Sequence, residues 1–209
     1  MYTLVYSINS EQNPETVYIN LTNACTNDCE FCLRGQRTDV CGHEMWHDNN
    51  YELSDVISQF KEHSANVKEV VFCGYGEPFL KKDMMKDFCT YLRKNYPQVK
   101  IRVNTNGHAN AIYGVDVTEE FKGLIDSVSI SLNASTSKEY DEICHPTFEG
   151  AYDAVKEFAL ACKKQGMETS MSVVTNFDDT HEIDVDECKN IAQSLGAKFR
   201  NREFIKNGY

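Results

Sequence analysis

The sequence lacks any hydrophobic run long enough to cross a membrane as a helix. A spanning helix needs roughly 20 consecutive apolar residues, and no stretch of the chain approaches that length. The amino-terminal segment 1–9 also lacks the basic flank and long apolar core of a secretory signal peptide. We therefore expect no membrane partner and a cytoplasmic location.

Positive charge is also scarce, because 21 Lys and Arg residues stand against 32 Asp and Glu residues and leave a net charge of -11. Surfaces that bind nucleic acid depend on clustered Lys and Arg. We therefore expect no nucleic-acid partner. The acidic segment 178–187 supplies much of the imbalance, and a solvated helix entrance explains it without a metal site.

Nothing in the composition requires more than one domain. With 209 residues, the chain is long enough to bury a substantial core. Its content of 41% hydrophobic and 25% charged residues is typical of a globular protein. We therefore expect a single domain that spans residues 1–209.

Apolar runs of strand length alternate along the chain with segments of helical period. The predicted strands cover 18–21, 69–73, 100–104, 127–132, 169–174 and 197–204. The predicted helical faces cover 53–60, 84–92, 151–161 and 188–195, with a shorter helix near 119–124. Such alternation predicts a parallel sheet with right-handed crossovers. Because a barrel of eight units needs about 250 residues, this length favours an α/β fold with a partial (β/α)6 TIM-like barrel of parallel strands.

The nine cysteines do not indicate a disulfide framework, because their number is odd and six of them are scattered singly. Four of these lie within apolar or helical stretches, namely Cys73, Cys89, Cys162 and Cys188. A free cysteine in such a stretch is usually a small buried hydrophobe, and we expect this of all four. Cys73 stands apart because it directly precedes a glycine-rich segment.

The other three cysteines form a motif. Cys25, Cys29 and Cys32 have the spacing C-x3-C-x2-C and follow directly on the strand-like segment 17–21. An iron–sulfur cluster held entirely by protein normally takes four cysteines, and structural zinc usually takes four Cys or His ligands. Three thiolates are one too few for a closed site of either kind. The motif therefore predicts an iron–sulfur cluster with one open coordination position.

A zinc site is the main alternative, because the following loop offers Cys41, His43 or His47 as a fourth ligand. Zinc ligands usually come as two short knuckles. Only one residue separates Cys41 from His43, which is too tight for a second knuckle. The spacing favours iron–sulfur over zinc.

A glycine-rich segment, Gly74-Tyr75-Gly76-Glu77, follows the second predicted strand. Together with the cysteine motif and the aromatic Phe31 within it, this segment resembles the radical S-adenosylmethionine (SAM) superfamily. The resemblance implies that the open iron of a 4Fe-4S cluster chelates SAM and that the glycine-rich segment binds the amino group of SAM. The two glycines permit close backbone approach.

The ends of the next three strands resemble further segments of the same superfamily. The resemblance implies cofactor contacts from Asn104, Thr105, Asn106, Ser131 and Asn133, and contacts around adenine from Val174, Asn176, Phe31 and Leu33. Asn133 stands where an aspartate is more familiar, which keeps a hydrogen-bonding group but removes a charge. Turn chemistry alone would also explain Asn and Gly at these positions.

The resemblance implies a reaction as well. A reduced cluster would donate an electron to SAM, and cleavage would give methionine and a 5'-deoxyadenosyl radical that abstracts hydrogen from an unidentified substrate. Because the sequence contains no second cysteine cluster, we expect an external flavodoxin- or ferredoxin-like reductant. A homodimer or another partner could close the open side of so small a barrel, and a peptide or protein substrate could equally enter there.

Within the superfamily, the short length and the segments 41–46 and 143–146 look most like the small radical SAM proteins associated with TatD-type nucleases. One alternative is an enzyme that resembles the magnesium-binding 7-carboxy-7-deazaguanine synthases. Another is a non-enzymatic zinc or iron–sulfur binding module, which would leave segments 74–77 and 105–107 unexplained. The candidate substrate contacts around the predicted mouth are Arg34, His43, Trp46, His108 and His145, although a structural role is more common for such residues.

Overall fold

A seven-stranded sheet organises the part of the chain that the computed structural model describes, residues 3–8 and 15–204. The strands are β1 (Val5–Tyr6), β2 (Thr16–Ile19), β3 (Asp39–Val40), β4 (His43–Glu44), β5 (Glu69–Phe72), β6 (Lys100–Thr105), β7 (Ser127–Ser131), β8 (Glu168–Thr175) and β9 (Lys198–Glu203). The strands β3 and β4 form a separate hairpin, and the other seven form the sheet.

The strand order in the sheet is β1-β2-β5-β6-β7-β8-β9. Within this sheet β2, β5, β6, β7, β8 and β9 pair in parallel, each with the next in that order, while β1 pairs antiparallel with β2. In the described residues β1 and β9 form the two edges, so the sheet is open. Six parallel strands in sequential order confirm the predicted α/β fold and agree with a partial barrel.

Helices connect the parallel strands. They are α1 (Leu53–His63), α2 (Lys82–Asn95), α3 (Ala109–Tyr113), α4 (Ser137–Cys144), α5 (Ala151–Lys164) and α6 (Val185–Ser194), with short 3-10 turns at 33–35, 64–66, 78–81 and 117–121. Their apolar sides pack on one face of the sheet, for example Phe88 of α2 and Phe158 of α5. None of the described helices is long and apolar enough to cross a membrane.

The two faces of the sheet differ in chemistry because successive side chains of a strand point to opposite sides. One set of alternate residues, such as Val70, Phe72 and Ile101, is buried in the core beneath the helices. The other set, which includes Tyr18, Arg102, Asn104, Ser129, Ser172 and Arg202, lies outside that core. We call this second side the inner face.

The sequence predicted the six parallel strands and the four long helices correctly. The helix expected near 119–124 is a 3-10 turn at 117–121, where the Asp116 carboxylate accepts from the Thr118 backbone N–H. The strand β1, the hairpin β3–β4 and the helices α3 and α4 were not predicted. These elements are short, and a periodic pattern needs several turns or alternations to stand out.

Three of the four single cysteines are buried as predicted, namely Cys89, Cys162 and Cys188. The prediction was wrong for Cys73, which is half-buried. It follows Phe72, which points into the core, so the alternation of side chains directs Cys73 to the inner face.

Candidate active site

The predicted site segments meet at one edge of the sheet, where the parallel strands end. The cysteine loop follows β2, residues 73–77 follow β5, residues 106–108 follow β6, residues 132–134 follow β7 and residues 176–177 follow β8. Parallel strands of one sheet share their carboxyl edge, and enzymes of this architecture place chemistry there. The fold therefore brings together residues that are up to about 150 positions apart in the chain.

The three motif cysteines are free, half-buried thiols. Burial, and then the neighbouring carboxylate of Glu77, raises the pKa of Cys25 to about 12. Burial also raises the pKa of Cys32. The Cys29 thiol raises the pKa of both Cys25 and Cys32 further. Thiols in such a setting stay protonated until a metal displaces the proton.

This donor set fits a cluster. In the described residues no group of three or more His, Cys, Asp or Glu side chains is arranged to hold a single metal ion. A 4Fe-4S cluster with one open iron requires a different set of ligands, one thiolate for each of the other three irons. The three cysteines can supply these thiolates.

Arg34 holds the cysteine loop together through hydrogen bonds to other residues of the same loop. Its Nη1 donates to the Asn23 carbonyl oxygen at 3.0 Å, and its Nη2 donates to the Asn27 carbonyl oxygen at 3.2 Å and to Asp28 Oδ1 at 3.0 Å. These contacts bridge the segment that carries Cys25 and the segment before Cys29. The structure therefore assigns Arg34, a candidate substrate contact, to holding the loop in shape.

The carboxyl end of α4 supports Cys29. The backbone N–H groups of Asp28 and Glu30 donate to the carbonyl oxygens of Cys144 and Ile143, each at 3.0 Å. These carbonyls belong to the last turn of a helix, which has no further backbone N–H groups to donate to them. The Cys29 and Cys144 thiols are in direct contact, which is the main reason that the pKa of Cys29 is raised. The sequence did not point to Cys144, because α4 itself was not predicted.

A buried hydrogen-bond network lies behind the cysteine loop. Asn106 Nδ2 donates to Thr26 Oγ1 at 2.7 Å and lies 3.7 Å from Cys25 Sγ. Thr26 Oγ1 lies 2.9 Å from His108 Nδ1, and His108 Nε2 lies 2.9 Å from the Tyr140 hydroxyl. His108 is fully buried, so it holds the loop from behind and does not line the mouth.

We expect His108 to make the protein less stable in acid. Burial lowers the pKa of His108 from 6.5 to about 4. When folding lowers the pKa of a histidine, the group favours the folded state at pH values above its unfolded-state pKa. As the pH falls below that value, the unfolded chain binds the proton first and the stabilisation is lost. Between about pH 7.5 and pH 5, this group should remove about 2 kcal/mol of unfolding free energy.

Denaturant unfolding of the wild type and of His108→Gln at both pH values checks this expectation. The variant should be less stable at pH 7.5 but should lose about 2 kcal/mol less on acidification. His63→Gln, at the end of α1, controls for the removal of a histidine elsewhere. An equal loss in the wild type and in His108→Gln would contradict the assignment.

Glu77 is buried, and the protein's own donors occupy its carboxylate. Oε1 accepts from Thr105 Oγ1 at 2.8 Å and from the Phe79 N–H at 3.1 Å, and Oε2 accepts from the Asn106 N–H at 2.7 Å. Burial raises its pKa to about 7 despite these bonds. Its own N–H donates to the Ala24 carbonyl oxygen at 2.8 Å. Glu77 thus ties the ends of β5 and β6 to the cysteine loop.

The two glycines of this segment allow close backbone approach, as predicted. A Cβ on Gly76 would lie 2.4 Å from the carbonyl oxygens of Thr22 and Ala24. A Cβ on Gly74 would lie 2.0 Å from Asn20 Oδ1. The segment can therefore lie against the entrance of the cysteine loop only because neither residue has a side chain.

Tyr75 and Leu33 lie in a second, smaller core. The Tyr75 ring packs with Tyr6, Val40 and Met45, and Leu33 packs against the same cluster. The Tyr75 hydroxyl donates to the Arg37 carbonyl oxygen at 2.7 Å. These contacts dock the hairpin β3–β4 beside the cysteine loop. A cofactor role for Tyr75 and Leu33 stays a prediction.

Phe31 reaches the end of β8. Its ring packs edge-on against Phe177, with 5.2 Å between the ring centroids, and Phe177 stacks on His181. Asn176 directly precedes Phe177 and Val174 lies three residues before it, so the Phe31 ring reaches the segment that carries two of the residues predicted to surround adenine. Asn176 has a left-handed backbone with φ of 60°, which asparagine tolerates better than most residues.

The end of β7 presents an unused acceptor. Asn133 is buried, has φ of 61°, and donates from Nδ2 to Cys144 Sγ at 3.4 Å. Its Oδ1 is buried without a hydrogen-bond partner within the described residues. Buried polar atoms are normally paired, so Oδ1 suits a donor such as a ribose hydroxyl. Ser131, two residues earlier, forms no side-chain hydrogen bond within the described chain and is also available.

The remaining predicted residues lie in three places. The Asn104 side chain is on the inner face and accepts from Arg102 Nη1 at 2.8 Å. His43 and Trp46 are in or next to the hairpin β3–β4, where His43 Nε2 lies 3.2 Å from the Ser7 carbonyl oxygen and Trp46 is 42% exposed. His145 Nε2 lies 2.5 Å from Glu30 Oε1 on the outside of the cysteine loop.

Comparison with known proteins identifies relatives for most of the chain. Residues 19–188 match the family described as the Radical SAM superfamily. A probable dual-specificity RNA methyltransferase RlmN of Chlorobium phaeobacteroides is 27% identical over 157 residues, which cover 71% of this chain and 39% of that protein. The protein of the same name from Petrotoga mobilis is 30% identical over 130 residues, which cover 57% of this chain and 33% of that protein. The chain thus spans less than half the length of these relatives.

Similar folds occur among solved structures. The crystal structure of Streptococcus suis SuiB bound to S-adenosylmethionine superposes with a TM-score of 0.65 at 17% identity. The superposition covers 93% of this chain and 40% of that chain. At such low identity, the likeness shows the fold alone.

Proposed function

This chain belongs to the Radical SAM superfamily, and we propose that it cleaves SAM reductively to a 5'-deoxyadenosyl radical that abstracts hydrogen from a substrate. Membership of the superfamily confirms the predictions of an enzyme and of a 4Fe-4S cluster and SAM as its cofactors. Cys25, Cys29 and Cys32 would hold the cluster.

The observation that carries the proposal is the junction at Glu77. Through its N–H and its carboxylate, Glu77 joins the loop that holds the cysteines to the ends of β5 and β6. Asn106, bound to Glu77 through its backbone, reaches Cys25 and Thr26 with its side chain. Hydrogen bonds thus connect the cysteine loop, the end of β5 and the end of β6. Each of these three segments resembles a radical SAM motif by itself.

The chain's own residues have definite tasks in this proposal. Arg34 and the end of α4 fix the positions of the cysteines before a cluster is bound. The unpaired Asn133 Oδ1 offers an acceptor to SAM. Phe31 and Phe177 form an apolar wall near the end of β8, which would keep water from a reactive radical.

Two further proposals concern the partners of the protein, and both rest on the sequence. We propose an association with a TatD-type nuclease, because segments 41–46 and 143–146 resemble the small radical SAM proteins that accompany such nucleases. We also propose an external flavodoxin- or ferredoxin-like reductant. The curated relatives are probable RNA methyltransferases, but a net charge of -11 disfavours a polyanionic substrate here.

Reconstitution tests the proposed reaction. The full chain is loaded anaerobically with iron and sulfide, dithionite and SAM are added, and 5'-deoxyadenosine is quantified by mass spectrometry. We expect product from the wild type and background from Cys29→Ala. Because Cys144 touches Cys29 and could replace it as a ligand, the double variant Cys29→Ala/Cys144→Ala is included. Cys162→Ala, buried in α5, should retain product formation.

Two outcomes would contradict the proposal or redirect it. A cluster whose spectrum does not change when SAM is added, with no product, would favour the binding-module alternative. Product formation that requires added magnesium would favour an enzyme similar to the 7-carboxy-7-deazaguanine synthases.

A further inference from the structure

The side chain of Asn106 is directed at one of the cysteines that would hold the cluster. Its Nδ2 donates to Thr26 Oγ1 at 2.7 Å and to Cys25 Sγ at 3.7 Å, a length that suits an N–H···S bond because sulfur is larger than oxygen. Its Oδ1 accepts from the His108 N–H at 3.1 Å. An amide oxygen can only accept and an amide nitrogen can only donate. The bond from His108 therefore fixes which end of the amide faces Cys25.

The backbone of Asn106 is held as firmly as its side chain. The residue is buried, and its N–H donates to Glu77 Oε2 at 2.7 Å. The next residue, Gly107, has φ of 80° and donates its N–H to Thr105 Oγ1 at 3.0 Å. A Cβ on Gly107 would lie 3.2 Å from the Cα of Val155, so this turn also packs closely on α5. Asn106 is therefore in place before a cluster is bound, as a group that orients a metal ligand has to be.

A donor to a cysteine sulfur changes the redox properties of a cluster. Reduction adds one negative charge to the cluster and its sulfur ligands. An N–H group that donates to such a sulfur stabilises the reduced form more than the oxidised form, because hydrogen bonds to charged groups are the stronger ones. Hydrogen bonds to the sulfurs are accordingly among the factors that set the reduction potential. A donor at Cys25 should therefore raise this potential.

The buried carboxylate of Glu77 acts in the opposite direction. The Glu77 N–H donates to the carbonyl oxygen of Ala24, the residue directly before Cys25, at 2.8 Å. A negative charge beside the cysteine loop disfavours an extra electron on a cluster that this loop holds. Asn106 binds both groups, the carboxylate with its N–H and the Cys25 sulfur with its amide nitrogen. Its amide is therefore well placed to offset the carboxylate.

We propose that Asn106 is a positioning residue that raises the reduction potential of the cluster through its N–H···S hydrogen bond to Cys25. The inference rests on the proposed function, because it concerns the electron that the cluster receives before SAM is cleaved. In this step the external reductant loses one electron and the cluster gains it, and no bond forms or breaks. With Asn106 in place, a reductant of less negative potential is sufficient.

A redox titration of the reconstituted full chain tests this inference without SAM and without turnover. The potential is adjusted with dithionite and mediator dyes, and the reduced cluster is quantified by electron paramagnetic resonance. The titration is run at about pH 8.5, where Glu77, with a pKa of about 7, is ionised. Asn106→Leu removes the donor and should lower the equilibrium constant for reduction about tenfold, which corresponds to about 59 mV for a one-electron couple.

Two further variants separate the hydrogen bond from the fold. Asn106→Asp keeps an acceptor for the His108 N–H but places an oxygen opposite Cys25, so it should lower the equilibrium constant more than Asn106→Leu does. Thr26→Val is the matched control, because it removes the other partner of the same amide nitrogen and leaves the bond to Cys25. It should make the protein less stable but leave the potential close to that of the wild type. The iron content per chain verifies that the compared proteins carry equal amounts of cluster.

Three results would overturn the inference. One is a wild-type potential in an Asn106→Leu variant that carries a full cluster. Another is an equal shift in Thr26→Val, which would show that the shape of the loop sets the potential. The third is failure of both Asn106 variants to bind iron, because Asn106 would then be needed to build the cluster rather than to tune it. Failure of the proposed function would look different, because the wild type would then bind the cluster and show the effect of Asn106 but form no 5'-deoxyadenosine.

Discussion

Replacing Gly76 with alanine is expected to displace the cysteine loop and to lower the free energy of unfolding by about 2–4 kcal/mol. The new Cβ would lie 2.4 Å from the carbonyl oxygens of Thr22 and Ala24. Both contacts are with backbone, so no side chain can turn away to relieve them. The loop must move, and the hydrogen bond from the Glu77 N–H to the Ala24 carbonyl oxygen should break with it.

Denaturant unfolding and the iron content after anaerobic reconstitution measure this effect. Gly35→Ala is the matched control, because a Cβ there meets no atom within 4 Å and the residue lies in the same loop region. We expect Gly35→Ala to bind iron as the wild type does, while Gly76→Ala binds much less. Equal iron content and stability in both variants would show that the close approach at Gly76 does not matter.

Replacing Glu77 with alanine is expected to lower the free energy of unfolding by about 3–5 kcal/mol. The change would leave the Thr105 hydroxyl and the N–H groups of Phe79 and Asn106 without their acceptor. Each unsatisfied buried donor costs about 1–3 kcal/mol, less where water enters the cavity. Because a domain of this size has only about 5–15 kcal/mol in total, the variant should be close to unfolding.

Glu77→Gln provides the graded comparison. Glutamine keeps one carbonyl oxygen and the volume of the side chain. Its amide nitrogen, however, is a donor and would face at least one of the three donors that now bind the carboxylate. Because the pKa of Glu77 is about 7, part of the wild-type protein already carries a neutral carboxyl group at neutral pH. The expected loss is therefore smaller, about 1–2 kcal/mol. Urea unfolding at pH 7 ranks the three proteins, and an alanine variant as stable as the glutamine variant would contradict the role of the three bonds.

Much of the site follows from the sequence because strand order fixes where strand ends meet. Once the apolar runs are read as sequential parallel strands, the cysteines, the glycine-rich segment and Asn106 must share one edge. The two close approaches at glycine could be expected for the same reason, because a segment that crosses a neighbouring loop has no room for a side chain.

Other features could not be predicted from the sequence, because they depend on the direction of each side chain. Nothing in the order of residues shows that Arg34 turns into its own loop, or that His108 is buried behind Thr26. The contact between Cys29 and Cys144 joins positions far apart in the chain through a helix too short to have a clear period.

The sequence by itself determined the class of fold and the family and picked out the three cysteines that we expect to hold the cluster, because periodicity and the spacing of a metal motif are local properties of a chain. Only the tertiary structure decided how the remaining groups are used. In the folded protein the Glu77 carboxylate accepts hydrogen bonds from the Thr105 hydroxyl and the Asn106 N–H. The fold also placed His108 behind the cysteine loop, between Thr26 Oγ1 and the Tyr140 hydroxyl. The physical reason is that these contacts join residues far apart in the chain, so they depend on how the strand ends, the loops and α4 pack together in space.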